Sequence, residues 1–103
     1  MKPNGYVLSD RALEHDLRLA LRDDAEACYR LHLHYTLGLG QDKPGFMWER
    51  RSAELGSPRG MYSYGVALWS TAKNQAQKSA AKAWIRKAAT DGDATAITFL
   101  DRY

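Results

Sequence analysis

Apolar positions along this chain recur at helical spacing, and no segment sustains the alternation of a strand. Leu13, Leu17, Ala20 and Leu21 fall at i, i+4, i+7 and i+8, one stripe of an α-helix, with Ser9 or Asp10 available as its N-cap. Asp24 is placed to cap a second helix in which Ala27, Cys28, Leu31 and Tyr35 share a face, and Gly38 ends it. A third helix is predicted from about Phe46 to Leu55, after the breakers Gly38, Gly40 and Pro44-Gly45, and it stops at Gly56. Ser57 followed by Pro58 marks the start of a fourth, because the N–H that proline lacks has no helical partner at that position. This helix runs to about Thr71. A fifth spans roughly Gln77 to Thr90, with Ala81, Trp84, Ile85 and Ala88 as its stripe, and Asp93 caps a sixth with Ala96, Ile97 and Leu100 inward. Residues 1–9, with Pro3 and Gly5, read as a tail. The expectation is an all-α protein of six helices in one domain, residues 10–103.

The helices repeat. An offset of 36 residues lays Trp48 on Trp84, Arg50 on Arg86, Arg51 on Lys87, Ala53 on Ala89, Gly56 on Gly92, Gly60 on Ala96 and Tyr64 on Leu100. An offset of 33 lays Ala20, Asp23, Ala27 and Leu31 on Ala53, Gly56, Gly60 and Tyr64. A period in the mid-thirties made of two helices and a short turn is the mark of a helical solenoid, in which stacked pairs share a core that one pair cannot build alone. The small residue four positions after each turn (Ala27, Gly60, Ala96) would let paired helices approach closely.

The segment Ala81-Lys82-Ala83-Trp84-Ile85-Arg86-Lys87-Ala88-Ala89-Thr90-Asp91-Gly92, followed by Ala96 and Leu100, resembles the first part of a Sel1-like repeat, a relative of the tetratricopeptide repeat. Leu31, Tyr35, Gly38 and Gly40 resemble its second part. The middle copy keeps Trp48, Ala53, Gly56 and Gly60 but has Tyr64-Gly65 where the pattern has Leu-Gly, and the first copy has His15 at the tryptophan position. The resemblance implies a short right-handed α-solenoid of three helix-turn-helix pairs, about 10–38, 45–72 and 77–103. It also implies a protein-binding scaffold in which the first helix of each pair lines the concave surface. Small bacterial proteins of this kind include immunity proteins that bind and neutralise a cognate toxin.

Length and composition narrow the field. The chain has 103 residues, 45% hydrophobic and 26% charged, ordinary for one globular domain. No apolar run approaches the ~20 residues that span a bilayer. Met1-Lys2-Pro3-Asn4-Gly5 lacks the apolar stretch of a secretory signal, and a lone Cys28 fits a reducing compartment, so a cytoplasmic location is expected. The net charge of +3 is uneven: residues 1–54 carry eight basic and nine acidic side chains, residues 55–103 seven and three. No acidic residue lies between Leu55 and Thr90.

Catalytic and metal chemistry find little support. His32 and His34 are two apart and diverge on a helix, and Glu14-His15-Asp16 are consecutive, so neither group has the i, i+4 spacing of a chelating pair. Cys28 lies on an apolar face as a small hydrophobe, and Gly38-Leu39-Gly40 follows no strand and so is no phosphate loop. No catalytic residue, metal or cofactor is expected. Trp48 and Trp84 hold core positions of the repeat; Trp69 has no counterpart in the third copy and is open to packing or to contact. Lys78, Lys82 and Arg86 stand at i, i+4 and i+8 on one face of the fifth helix, with Arg50 one repeat earlier. These five residues, Arg50, Trp69, Lys78, Lys82 and Arg86, are the candidate partner-binding set, and an acidic protein surface is the expected partner. A scaffold or adaptor in a cytoplasmic assembly is the alternative. Nucleic-acid binding is a weaker one, because it wants a denser basic surface interleaved with stacking aromatics.

Overall fold

The computed structural model describes residues 4–103 and is all-helical, with no strand among them. Six α-helices follow one another: α1 (Asp10–Ala20), α2 (Ala25–Leu33), α3 (Asp42–Glu54), α4 (Pro58–Thr71), α5 (Gln75–Thr90) and α6 (Ala94–Arg102). Each packs chiefly on its neighbours in the chain, most extensively α4 on α5, with a smaller contact between α2 and α4. The molecule measures 41 × 30 × 21 Å, and its radius of gyration of 14.1 Å exceeds the ~13 Å of a rounded globule this long.

Three helix starts carry the predicted caps. Asp24, Ser57 and Asp93 each accept the N–H three residues on, from Ala27, Gly60 and Ala96. Ser9, rather than Asp10, caps α1. The turns before those three caps are built alike. Asp23, Gly56 and Gly92 all have positive φ (63°, 94° and 92°). In each turn that residue's N–H reaches the carbonyl three back, and the next N–H reaches the carbonyl five back: Asp23 to Ala20 and Asp24 to Leu19, Gly56 to Ala53 and Ser57 to Ser52, Gly92 to Ala89 and Asp93 to Ala88. This is the Schellman ending of a helix, repeated at the 33- and 36-residue offsets seen in the sequence.

Three boundaries differ from expectation. The third helix begins at Asp42, not Phe46, so Pro44 and Gly45 lie inside its first turns; proline there costs no helical hydrogen bond. Gly45 is needed for closeness, since a Cβ at that position would run into Thr36. The second helix does not simply end at Gly38. After Leu33 it widens into a π-helical turn, His34–Gly38, closed by the Leu39 N–H on the His34 carbonyl at 2.9 Å. The fifth helix starts at Gln75, two residues early, because Asn74 caps it by accepting from Gln77 N–H. Of the tail, residues 1–3 (with Pro3) lie outside the described residues. Asn4 donates to the Leu37 carbonyl at 2.8 Å, and Leu8 N–H donates to His34 Nδ1 at 2.9 Å.

Two apolar clusters fill the interior. Ala20, Ala27, Cys28 and Leu31 form one, with Trp48 and Leu55 packed on it; Ala53, Met61, Tyr64, Ile85, Ala88 and Ala96 form the other, with Trp84, Phe99 and Leu100 around it. Ala27, Ala96 and Gly60 are buried, as small residues at the pair crossings should be. A Cβ at Gly65 would stand 2.7 Å from Ile85, which is why α4 and α5 lie so close.

Candidate functional site

The α5 surface is the first candidate. The helix has no acidic residue, and none of Lys73, Lys78, Lys82, Arg86 and Lys87 forms an ion pair among the described residues. The structure nevertheless divides the predicted stripe. Lys78 Nζ lies 4.5 Å from the centre of the Trp69 ring and Lys82 Nζ 5.9 Å from it, and Lys82 also donates to the main-chain oxygen of Tyr103. Trp69 is half-buried, edge-on to Phe99 with ring centres 5.5 Å apart and 6.0 Å from Tyr103. Trp69, Lys78 and Lys82 thus meet in one patch that ties α4, α5 and α6 together. Arg86 is exposed, away from that patch, and Lys87 lies over Trp84 at 4.8 Å.

Arg50 belongs to a different place. It lines a groove of about 600 Å³ between the α1–α2 turn and α3, where its guanidinium stands 3.7 Å from Glu54. Leu21, Phe46 and Met47 border the same groove and are 81%, 44% and 55% exposed. A smaller depression of about 290 Å³ lies between Gly56 and Met61 on one side and Arg86, Lys87, Thr90 and Asp91 on the other. The two are related by the repeat: Asp23 and Gly56 occupy the same turn position, Arg50 and Arg51 match Arg86 and Lys87, and Glu54 matches Thr90.

A third cluster was missed by sequence reasoning. His32, buried on α2, has Nε2 3.1 Å from Glu49 Oε2 on α3 and 3.4 Å from Ser63 Oγ on α4, and Ser63 donates to the same Glu49 oxygen. His32 Nδ1 faces the Gly45 carbonyl at 3.1 Å and Thr36 Oγ1 at 3.3 Å. Serine, histidine and carboxylate side by side invite comparison with a hydrolytic triad. There the serine and the acid occupy opposite ring nitrogens, so that one is deprotonated while the other orients the base. Here both meet Nε2, and Nδ1 is held by a backbone carbonyl. The cluster is also closed off, with His32 and Glu49 buried and the larger surface grooves lined by other residues. Its geometry joins three helices. Asp16 is a similar case: buried, it takes two bonds from Arg30 Nε at 3.1 Å and one from Nη2 at 2.9 Å, tying α1 to α2, and this bonding pushes the Arg30 guanidinium up. A signal for all three existed. Asp16 precedes Ala20 by four, His32 follows Cys28 by four and Glu49 follows Gly45 by four, each on its helix's buried stripe.

Cys28 is fully buried, and burial pushes its thiol up, away from the thiolate a nucleophile needs. Among the described residues no three of His, Cys, Asp and Glu gather to hold a metal ion, and no helix is long and apolar enough to cross a membrane. No protein-family model matches the chain, and no solved structure matches it.

Proposed function

We propose that this protein is a non-catalytic protein-binding module, a short α-solenoid of three helix pairs similar to Sel1-like repeats, that holds an acidic surface of another protein. The observation that carries the reading is α5: sixteen residues with four basic and no acidic side chains, continuous with Lys73 and unpaired by any carboxylate of the described chain. Complementary charge on a partner would be steered to this face and fixed in register by it. Neighbour-on-neighbour packing, the three Schellman turns and the repeat-related grooves support the solenoid. Within this class, the resemblance favours an immunity protein acting in the cytoplasm, its partner a toxin encoded nearby. A scaffold would instead use the α5 surface and the α1–α3 groove for two different proteins.

The test is affinity for a partner recovered from the source cells with the intact protein as bait. Arg86→Glu combined with Lys82→Glu should weaken that complex at least tenfold at low salt, and the loss should shrink as salt rises. Lys82→Ala alone serves as control for the Trp69–Tyr103 contacts. Unchanged affinity of the double variant would take the interface off α5.

A further inference from the structure

The groove between the α1–α2 turn and α3 is unlike an ordinary solvated face. Its floor is apolar, with Leu21 more exposed than any other large apolar residue of the described chain, and Met47 and Phe46 beside it. Single exposed leucines need no explanation; three large apolar side chains converging with Trp48 on a groove of about 600 Å³ do. That volume takes two or three side chains, the size of an anchor at the centre of a small interface.

The lip of the groove is cationic. Lys43 has no carboxylate within ion-pair distance among the described residues. Arg50 meets Glu54 only at 3.7 Å with both side chains well exposed, and such a pair is worth so little that an incoming carboxylate replaces it cheaply. Arg51 stands 2.6 Å from Asp23, which also lines the groove, in a pair about as exposed. One repeat on, the matching depression offers Arg86 and Lys87, with Thr90 where the first groove has Glu54 and Asp91 as the carboxylate of its lining.

We infer that the α1–α3 groove receives a short amphipathic segment of a partner protein, with an aromatic or aliphatic anchor on Leu21, Phe46 and Met47 and flanking carboxylates on Lys43 and Arg50. The inference rests on the protein-binding reading above and gives it a second contact point, separate from the outer α5 surface. A second copy of this chain offers the groove a poorer match through its α1. Its exposed acidic stretch on α1 is interleaved with Arg11 and Arg18, and Glu14 is already paired with Arg18. Binding through such a segment is the helix-in-groove or strand-like capture of a linear motif, in which apolar anchors give affinity and charge gives selectivity.

The experiment is a selection of displayed random dodecapeptides on the intact protein, followed by affinity and nuclear magnetic resonance mapping with the enriched peptides. Expected are sequences with a large apolar residue beside Asp or Glu, shifting the amides of Leu21, Met47 and the Trp48 indole. The double variant Leu21→Asp, Met47→Asp should lose at least tenfold in affinity for them, Lys43→Glu about threefold to tenfold, and Lys82→Glu with Arg86→Glu much less. Because Leu21 and Met47 are exposed, the variants should melt close to the parent. Enrichment of basic or neutral peptides, or of peptides that bind the double variant equally well, overturns the proposal, as does a selection that enriches nothing. Loss of binding in the α5 variant with none in the groove variant leaves the general reading standing and removes this site. Anionic phosphatidylglycerol vesicles bound by the parent and not by the double variant would give the groove to a lipid surface, and a sedimentation shift abolished by Leu21→Asp would give it to a second copy.

Discussion

Glu26 shows how much one side chain decides at a helix junction. It sits on α2 and accepts from Ser57 Oγ at 2.7 Å and from Arg59 Nη2 at 2.6 Å, so it holds the start of the next helix pair. Partial burial alone would raise its carboxyl, but the hydrogen bonds from Arg59 and Ser57 and the charges of Arg59 and Arg30 outweigh that and hold it below its ordinary value. A depressed carboxyl contributes stability above its unfolded value, and that contribution is lost as pH falls through the folded one. The melting temperature of the parent should therefore exceed that of Glu26→Gln near pH 7, and the gap should close below about pH 4. A gap that stays constant down to about pH 3 would show the pair contributes no charge-dependent stability. At this scale much was legible. Ser57-Pro58, Asp24 and Asp93 announce their caps by residue type alone, and the 33- and 36-residue offsets together align Asp23 with Gly56 and Gly92, whose left-handed φ it shares.

At the scale of the element, polar residues on buried stripes are what the helices share. His32, Glu49 and Ser63 come from α2, α3 and α4, the elements that connect the two apolar clusters. If the cluster is a structural joint, removing one member should hurt more than removing two. Glu49→Leu alone should cost about 1–3 kcal/mol by taking the carboxylate from His32 and Ser63 in the interior, whereas adding His32→Leu should recover part of that. Additive losses in denaturant unfolding would show that the two side chains do not depend on each other. Spacing four from Cys28 and from Gly45 sets His32 and Glu49 on inward faces, but those faces read as apolar, and the partners lie 13 to 31 residues apart in the chain. The same distance hid the π-helical turn and the early start of α3. Local propensity treats Pro44-Gly45 as a break, while the Thr36 contact and the His32 bond to Gly45 reward keeping it helical.

On the scale of the whole molecule, contacts run almost entirely between chain neighbours, so stability should be divisible along its length. Ala96 and Ala88 are both fully buried in one cluster, and Ala96→Leu should overpack that contact by about 1–3 kcal/mol. Hydrogen exchange should then rise in α5 and α6 well before it rises in α1 and α2. A uniform rise across the protein would mark a single cooperative core instead.

What the sequence determined by itself was the set of helices, the caps of α2, α4 and α6 and the period that relates them, because these depend on interactions within four residues and on side-chain spacing along one axis. It also placed the candidate binding residues on helix faces, since i, i+4 and i+8 fix a face without reference to anything else. Tertiary structure decided which faces meet. It set Lys78 and Lys82 over Trp69, left Arg86 free, moved Arg50 to the rim of a groove with Leu21 and Met47, and paired His32 with Glu49. Those outcomes depend on how far one helix slides and tilts against the next, and that is set by the fit of Gly65 on Ile85, Gly60 on Ser52 and Gly45 on Thr36, of which the repeat marks only Gly60 as a crossing and none of the facing residues.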